Sequence, residues 1–305
     1  MAILRMGYAH VRVTDLAEAR QHYTQTLGLD EVAAVDNKLY LKGWDEWDHH
    51  SVVLEEGGVG VVKFGFKVQY EDDIAQIENR AQKFGVTTER VSKGEEFEVG
   101  EILRIHSPSG HFFDIYSEIT SGQSDVGNVN PEAFPRDLRG IGAPAIDHAL
   151  ITAEDVGQME RFLHDVFGFW TAEKVATTLD PADQHNIAIW TTGTNQIHQL
   201  AVLEGPQAKL HHFAFRLEEG WEITRAADIM AMDDVPIDVG PTRHGITRGK
   251  TVYFFDPAGN RNEVFAGGYL SFADRPMVTW TPDMIAKGIF YHARELNERF
   301  TTVLT

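Results

Sequence analysis

The stretch DPAGNRNEVF, residues 256–265, has a counterpart 149 residues earlier in SPSGHFFDIY, residues 107–116. The same separation lays VVLEE (52–56) near AVLEG (201–205) and KFGFKV (63–68) on HFAFRL (212–217). Three segments in one register mark an internal duplication, the signature of a fold built by repeating one unit. Earlier in each half the offset becomes 138, which aligns His10 with His148. A finer repeat runs inside each half: an alternating strand, an amphipathic helix, then more strand-like segments. Helices are predicted to begin near Asp15, Glu71, Glu154 and Glu222, and three of them to close on Gly28, Gly85 and Gly168. Strand, helix and several strands, four times over, predict an α+β fold whose modules pair their sheets into two domains.

The segment ITSGQSDVGNVNPEAFPRDLRGIG is rich in Gly, Asn, Pro and Ser and reads as a linker. The expected division is therefore an N-terminal domain over 1–118, a linker over 119–143, a C-terminal domain over 144–270 and a helical tail over 271–305. In the tail, PDMIAKGIFYHARELNERF predicts one final helix with Ile285, Ile289, Leu296 and Phe300 on a stripe. Core or subunit packing is the favoured use of that stripe, ahead of lining a pocket.

Composition narrows the function classes. A chain of 305 residues with 43% hydrophobic and 24% charged residues has material for a real core. No apolar run reaches the roughly 18 residues of a membrane span, and the start, MAILRMGYAHVRV, lacks the pattern of an export signal, so the cytoplasm is expected. A net charge of -19 argues against nucleic acid. With no cysteine, any metal must be held by His, Asp and Glu, a nitrogen and oxygen set.

Asp256-Pro257-Ala258-Gly259 fits a type I turn with a left-handed glycine after it, which makes Asp256 face Asn260 and Tyr253 face Glu263 across a hairpin. Glu263 lies beside Val264 and Phe265 in a core strand, where an unpaired carboxylate is expensive. It requires a cation: either Arg261, two residues away, or a metal. In KLHHFAFRL (209–217) alternation puts His211 with Phe213 and Phe215, and His212 on the other face. His148 and His212 sit in the first strands of the third and fourth modules and converge with Glu263. Two imidazoles and one carboxylate with open positions form the facial triad of non-haem Fe(II) oxygenases.

The pattern Thr242-x-His244, then Val252-Tyr253, Asp256-Pro257-x-Gly259 and Glu263 resembles the signature of extradiol ring-cleavage dioxygenases in the vicinal oxygen chelate superfamily. LHHFAF, GPTRHG, GKTVYFFDP, GNRNEVF and AKGIFYHARELNERFTTVLT extend the likeness to the catechol 2,3-dioxygenase type over essentially the whole chain. The resemblance implies four βαβββ modules in two domains. It implies Fe(II) bound by His148, His212 and Glu263, with His198 near the dioxygen site and His244 and Tyr253 beside the substrate. The ligand set by itself also admits Mn(II). The implied substrates are a catechol, plain or carrying methyl or chloro groups, and O2; the implied assembly is a homotetramer. Gln199 departs from the Asp expected after His198 in some relatives, which puts the support of that imidazole in doubt.

In the N-terminal half the corresponding residues are His10, His49, Lys63 and Asp114. An ammonium has no lone pair to give a metal, so this copy is expected to be metal-free. Rival readings are a glyoxalase-like isomerase or thiol transferase on the same fold, and a noncatalytic aromatic-binding protein.

Overall fold

The computed structural model describes residues 3–305. The first module comprises β1 (Ile3–Val13), α1 (Leu16–Gln21), β2 (Asp30–Val35), β3 (Lys38–Lys42) and β4 (Val52–Glu56). The second comprises β5 (Gly60–Val68), α2 (Glu71–Phe84), β6 (Thr88–Val91), β7 (Ile102–His106) and β8 (Phe112–Tyr116). The third follows with β9 (Ala145–Ala153), α3 (Val156–Phe162), β10 (Trp170–Ala176), β11 (Asn186–Thr192) and β12 (Leu200–Glu204). The fourth has β13 (Leu210–Leu217), α4 (Glu222–Met232), β14 (Ile237–Arg243), β15 (Gly249–Phe255) and β16 (Arg261–Gly267). The fourfold βαβββ pattern predicted from the repeat is present, in an α+β fold.

Local chemistry explains where the helices start and stop. The Asp15 carboxylate accepts from the N–H groups of Ala17 and Glu18, and that of Asp155 from Gln158, satisfying donors that a helix start leaves free. Gly85 and Gly168 close their helices in the left-handed region, at φ of 92° and 75°.

Two sheets result, ordered β2-β3-β4-β1-β5-β8-β7-β6 and β14-β15-β16-β13-β9-β12-β11-β10, with β17 (Val278–Trp280) added beside β10. Paired modules join through their first strands, β1 with β5 and β9 with β13, which run antiparallel. Alternation along the second sheet sends Ala149, Phe213, Val252 and Val264 into a core shared by both halves. There Phe66 and Phe113 of the first half meet Phe162 and Phe167 of the second. The opposite face receives His148, Tyr253 and Glu263. The first half also braces the hairpin carrying Glu263: Tyr23 Oη donates to Asp256 at 2.9 Å, and the Asn260 amide accepts from the Gly60 N–H at 2.8 Å.

A break in alternation alters one expectation. The pairing of β13 with β9 shifts between Leu210 and His212, a bulge that turns the side chains of His211 and His212 toward one cavity instead of opposite faces.

The tail also differs from expectation. Instead of one helix it forms α5 (Ile285–Ile289) and α6 (Glu298–Thr302), separated by irregular chain. The carbonyls a continuous helix would use are occupied: Gly288 O accepts from the N–H groups of Gly245 and Ile246, both at 2.8 Å, and Ile289 O from His244 Nδ1. Ile285, Ile289, Leu296 and Phe300 line the cavity. The chain end returns to β13, with mutual backbone hydrogen bonds between Leu210 and Thr305 at 2.7 and 3.0 Å.

Arg261 does not reach Glu263. It is fully buried, pairs through Nε with Asp238 at 3.0 Å, and donates to the carbonyls of His211, Arg299 and Val303. Arg261→Met therefore strips donors from the tail and leaves Asp238 with Arg299 alone. We predict a loss of about 3 kcal/mol in urea unfolding and faster proteolysis within 290–305; an unchanged midpoint would refute this clamp.

Candidate metal centre

Glu263 sits on β16 opposite Tyr253 on β15, as the hairpin turn predicts, and is fully buried. Its Oε2 lies 3.0 Å from His148 Nε2 and 3.1 Å from His212 Nε2. One donor atom from each of the three residues falls within 4.8 Å of the others, the one such His/Asp/Glu group among the described residues. Among the described residues no guanidinium or ammonium pairs with the carboxylate; its ion-pair partners are imidazoles.

Each donor is held by a partner that sequence spacing did not reveal. Thr251, on the same face of β15, donates its hydroxyl to Glu263 Oε1 at 2.5 Å, leaving Oε2 for the centre. Asp147 Oδ2 sits 2.6 Å from His148 Nδ1, and Gln196 Nε2 holds the other Asp147 oxygen at 2.7 Å. His211 Nδ1 lies 2.7 Å from His212 Nδ1. Asp147 and His211 directly precede the two histidines, so adjacency was the available signal; Thr251 and Gln196 needed the folded sheet. The donors thus present Nε2, Nε2 and Oε2 inward, and this set suits a divalent cation.

Without an ion the carboxylate and imidazoles share charge. Burial opposes protonation of His148, but the Glu263 and Asp147 carboxylates outweigh it and raise the imidazole to about 9. Burial drives His212 down to about 4, with Glu263 partly opposing it.

His198, His244 and Tyr253 line the same cavity. The His198 ring lies tilted against His148 with centroids 4.0 Å apart, and its Nδ1 has no hydrogen-bond partner among the described residues. Burial, with His148 nearby, pushes its pKa well below the usual imidazole range. Gln199 does not support His198; its carbonyl accepts from the Gly193 N–H at 3.1 Å. His244 Nε2 is 3.0 Å from Tyr253 Oη. Because its Nδ1 must donate to the Ile289 carbonyl at 2.5 Å, neutral His244 accepts the tyrosine proton at Nε2. The remaining wall is mostly apolar, including Leu150, Trp190, Ile246, Phe265 and Ile289, and among the described residues no Lys or Arg lines it.

The N-terminal half meets the same sheet positions differently. His10 pairs across the sheet with Lys63, whose ammonium lies 3.6 Å from Asp114 Oδ2 and bonds Glu96. Arg104 bonds both Asp114 oxygens, at 2.7 and 2.9 Å. Burial and Lys63 together lower His10 to about 2. Here protein cations take the place that the second half leaves open.

Residues 145–264 match the Glyoxalase/Bleomycin resistance protein/Dioxygenase superfamily, and residues 63–120 the catechol 2,3-dioxygenase-like N-terminal domain. Metapyrocatechase of Pseudomonas sp. (strain CF600) is 40% identical over 99% of both chains. The manganese-dependent 2,3-dihydroxybiphenyl 1,2-dioxygenase of Geobacillus genomosp. 3 is 26% identical over 96% of this chain and 95% of its own. Among solved structures, the 2,3-dioxygenase LapB from Pseudomonas sp. KL28 superposes with a TM-score of 0.88 at 38% identity, covering 93% of this chain and 99% of that one. Fold and donor set are those of an extradiol ring-cleavage dioxygenase with a catalytic metal. The chain belongs to the metapyrocatechase family.

Two outcomes test the centre. Thr251→Val should weaken divalent-metal binding by about 10–100-fold in chelator competition; equal affinity would remove Thr251 from the account. A proton on His148 competes with the metal, so apparent affinity should climb with pH and level off near the imidazole value of about 9. A flat profile from pH 6 to 9 would contradict that assignment.

Proposed function

We infer that this enzyme opens the ring of catechol, or of an uncharged substituted catechol, beside its diol, using dioxygen and yielding a 2-hydroxymuconic semialdehyde. The observation that carries the reading is one enclosed, largely apolar cavity onto which His148, His212, Glu263, His198, His244 and Tyr253 all open. We assign His148, His212 and Glu263 as metal ligands, and iron(II) as the ion ahead of manganese(II), because this donor set is the facial triad. When bound, the ion supplies attachment for both substrate oxygens and an electron path from ring to dioxygen.

The protein side handles binding and protons. Leu150, Trp190, Ile246 and Phe265 exclude water around the ring, and the absence of a lining cation suits uncharged substituents over carboxylated ones. A diol proton can pass to Tyr253 Oη while the tyrosine hydrogen moves to His244 Nε2, 3.0 Å away. The resulting imidazolium is stabilised by Glu263 Oε1, 3.6 Å from Nε2. His198, neutral and with a free Nδ1, is assigned as the acid–base group on the dioxygen side. Incorporation of both oxygen atoms balances the reaction: catechol plus O2 gives the semialdehyde acid with no other product.

The domain limits 1–118 and 144–270, the homotetramer and the cytoplasmic location belong to the same reading, the first supported by the repeat and the second by the family likeness. A glyoxalase-like isomerase, a thiol transferase and a noncatalytic binder are not favoured by a family whose relatives cleave diols.

The test is anaerobic reconstitution with Fe(II) or Mn(II), followed by aerobic assay on catechol. A yellow product and one O2 consumed per catechol are expected, with His212→Ala inactive. His198→Asn should lower kcat by about 10²–10⁴-fold. Thiol-dependent turnover without oxygen, or binding without consumption, would sink the assignment.

A further inference from the structure

His211 is spent on no step above, yet it is fully enclosed between the proposed ligand His212 and the C-terminal segment. Its Nε2 lies 2.8 Å from the Phe300 carbonyl and its Nδ1 lies 2.7 Å from His212 Nδ1. A carbonyl only accepts, so His211 Nε2 carries a hydrogen. Two Nδ1 atoms at 2.7 Å require one donor and one acceptor. A neutral His211 with its one ring hydrogen on Nε2 has only a lone pair at Nδ1, so in that tautomer His212 Nδ1 supplies the hydrogen between the two rings. His212 Nε2 is thereby left with its lone pair facing inward, 3.1 Å from Glu263 Oε2. The bulge between Leu210 and His212 makes this possible, since a regular strand would send the adjacent histidines to opposite faces.

The far end of the relay has its own physical demand. Phe300 lies inside α6, a five-residue helix in which Arg299 O accepts from the Val303 N–H at 3.1 Å, while Phe300 O meets no backbone donor among the described residues. His211 supplies a donor to Phe300 O, and Arg261 supplies one to Arg299 O at 3.0 Å. The Phe300 ring packs edge-on against both His211 and Tyr253, with centroids 4.8 and 5.0 Å away. The same segment thus covers the cavity and holds the imidazole that orients a ligand.

We propose that His211 is a positioning residue which fixes the tautomer of His212 and so couples metal retention to docking of the C-terminal segment over the cavity. Coupling of this kind is reciprocal: what strengthens the metal site through the segment must also be strengthened by the metal. The inference rests on the assignment of His212 as a ligand.

Two substitutions separate the ends of the relay. The Asn side chain places its oxygen where His Nδ1 stands, so His211→Asn can still accept from His212 but cannot reach Phe300 O. The Gln side chain places its amide near the position of Nε2, so His211→Gln can donate to Phe300 O but leaves His212 Nδ1 without its acceptor. Affinity for Co(II), a spectroscopic probe with a visible absorption band, is measured by chelator competition beside circular dichroism to establish folding. Expected is a loss of about 10–100-fold for His211→Gln, with a changed Co(II) band, and a smaller loss for His211→Asn, which keeps the acceptor for His212 but gives up the tie to the segment. Hydrogen exchange at residues 298–303 should slow on Co(II) binding in the parent, and metal should slow it far less in either variant. Folded His211→Gln with parent affinity, or metal-induced protection that survives in both variants, overturns the proposal; should His211→Gln fail to fold, the exchange of His211→Asn decides. If the parent binds no Co(II), or His212→Ala binds it equally well, the ligand assignment itself has failed.

Discussion

A carboxylate with no access to water governs the second half of this molecule. Glu263 stands in the middle of a sheet, and an isolated charge there would be driven to neutralise by the cost of desolvation. The surrounding groups are two imidazole nitrogens and a threonine hydroxyl, while the nearest arginine in sequence, Arg261, is committed to Asp238. Protonated His148 offsets the carboxylate here, and a divalent cation between the three donors would take the place of that proton. The first half solves the same problem at Asp114 with Arg104 and Lys63. One duplicated architecture thus meets a buried carboxylate in two ways, with protein cations in the first half and with imidazoles in the second.

Burial of that centre depends on irregular chain. The loop from His244 to Ile246 takes the carbonyls of Gly288 and Ile289, and Arg261 and His211 take those of Arg299 and Phe300. These hydrogen bonds break the final segment into two short helices and press their apolar side chains onto the cavity. The helix potential of the tail yields to the unsatisfied donors beneath it. Glu173, buried nearby, adds a further anchor by accepting from the Thr247 N–H, the Tyr269 hydroxyl and the Trp280 indole.

The first half contributes through the hairpin. Tyr23, His22 and Gly60 reach across to Asp256, Asn262 and Asn260, which flank Glu263 along the chain. A continuous aromatic core from Phe66 to Phe167 sets the two sheets against each other. Position of the carboxylate is thus a property of both halves.

Much of this was written in the order of residues. The repeat determined the four βαβββ modules, because each unit must bury the same alternating and helical faces, and the Asp-Pro-Ala-Gly turn determined that Tyr253 opposes Glu263. Equivalent places in paired modules were enough to bring His148, His212 and Glu263 into one group. Tertiary structure alone decided which carboxylate Arg261 serves, that His211 shares the cavity with His212, and that the tail is a broken lid over the site. Those outcomes turn on a one-residue bulge and on competition for backbone carbonyls far apart in the chain, and neither leaves a mark in local periodicity.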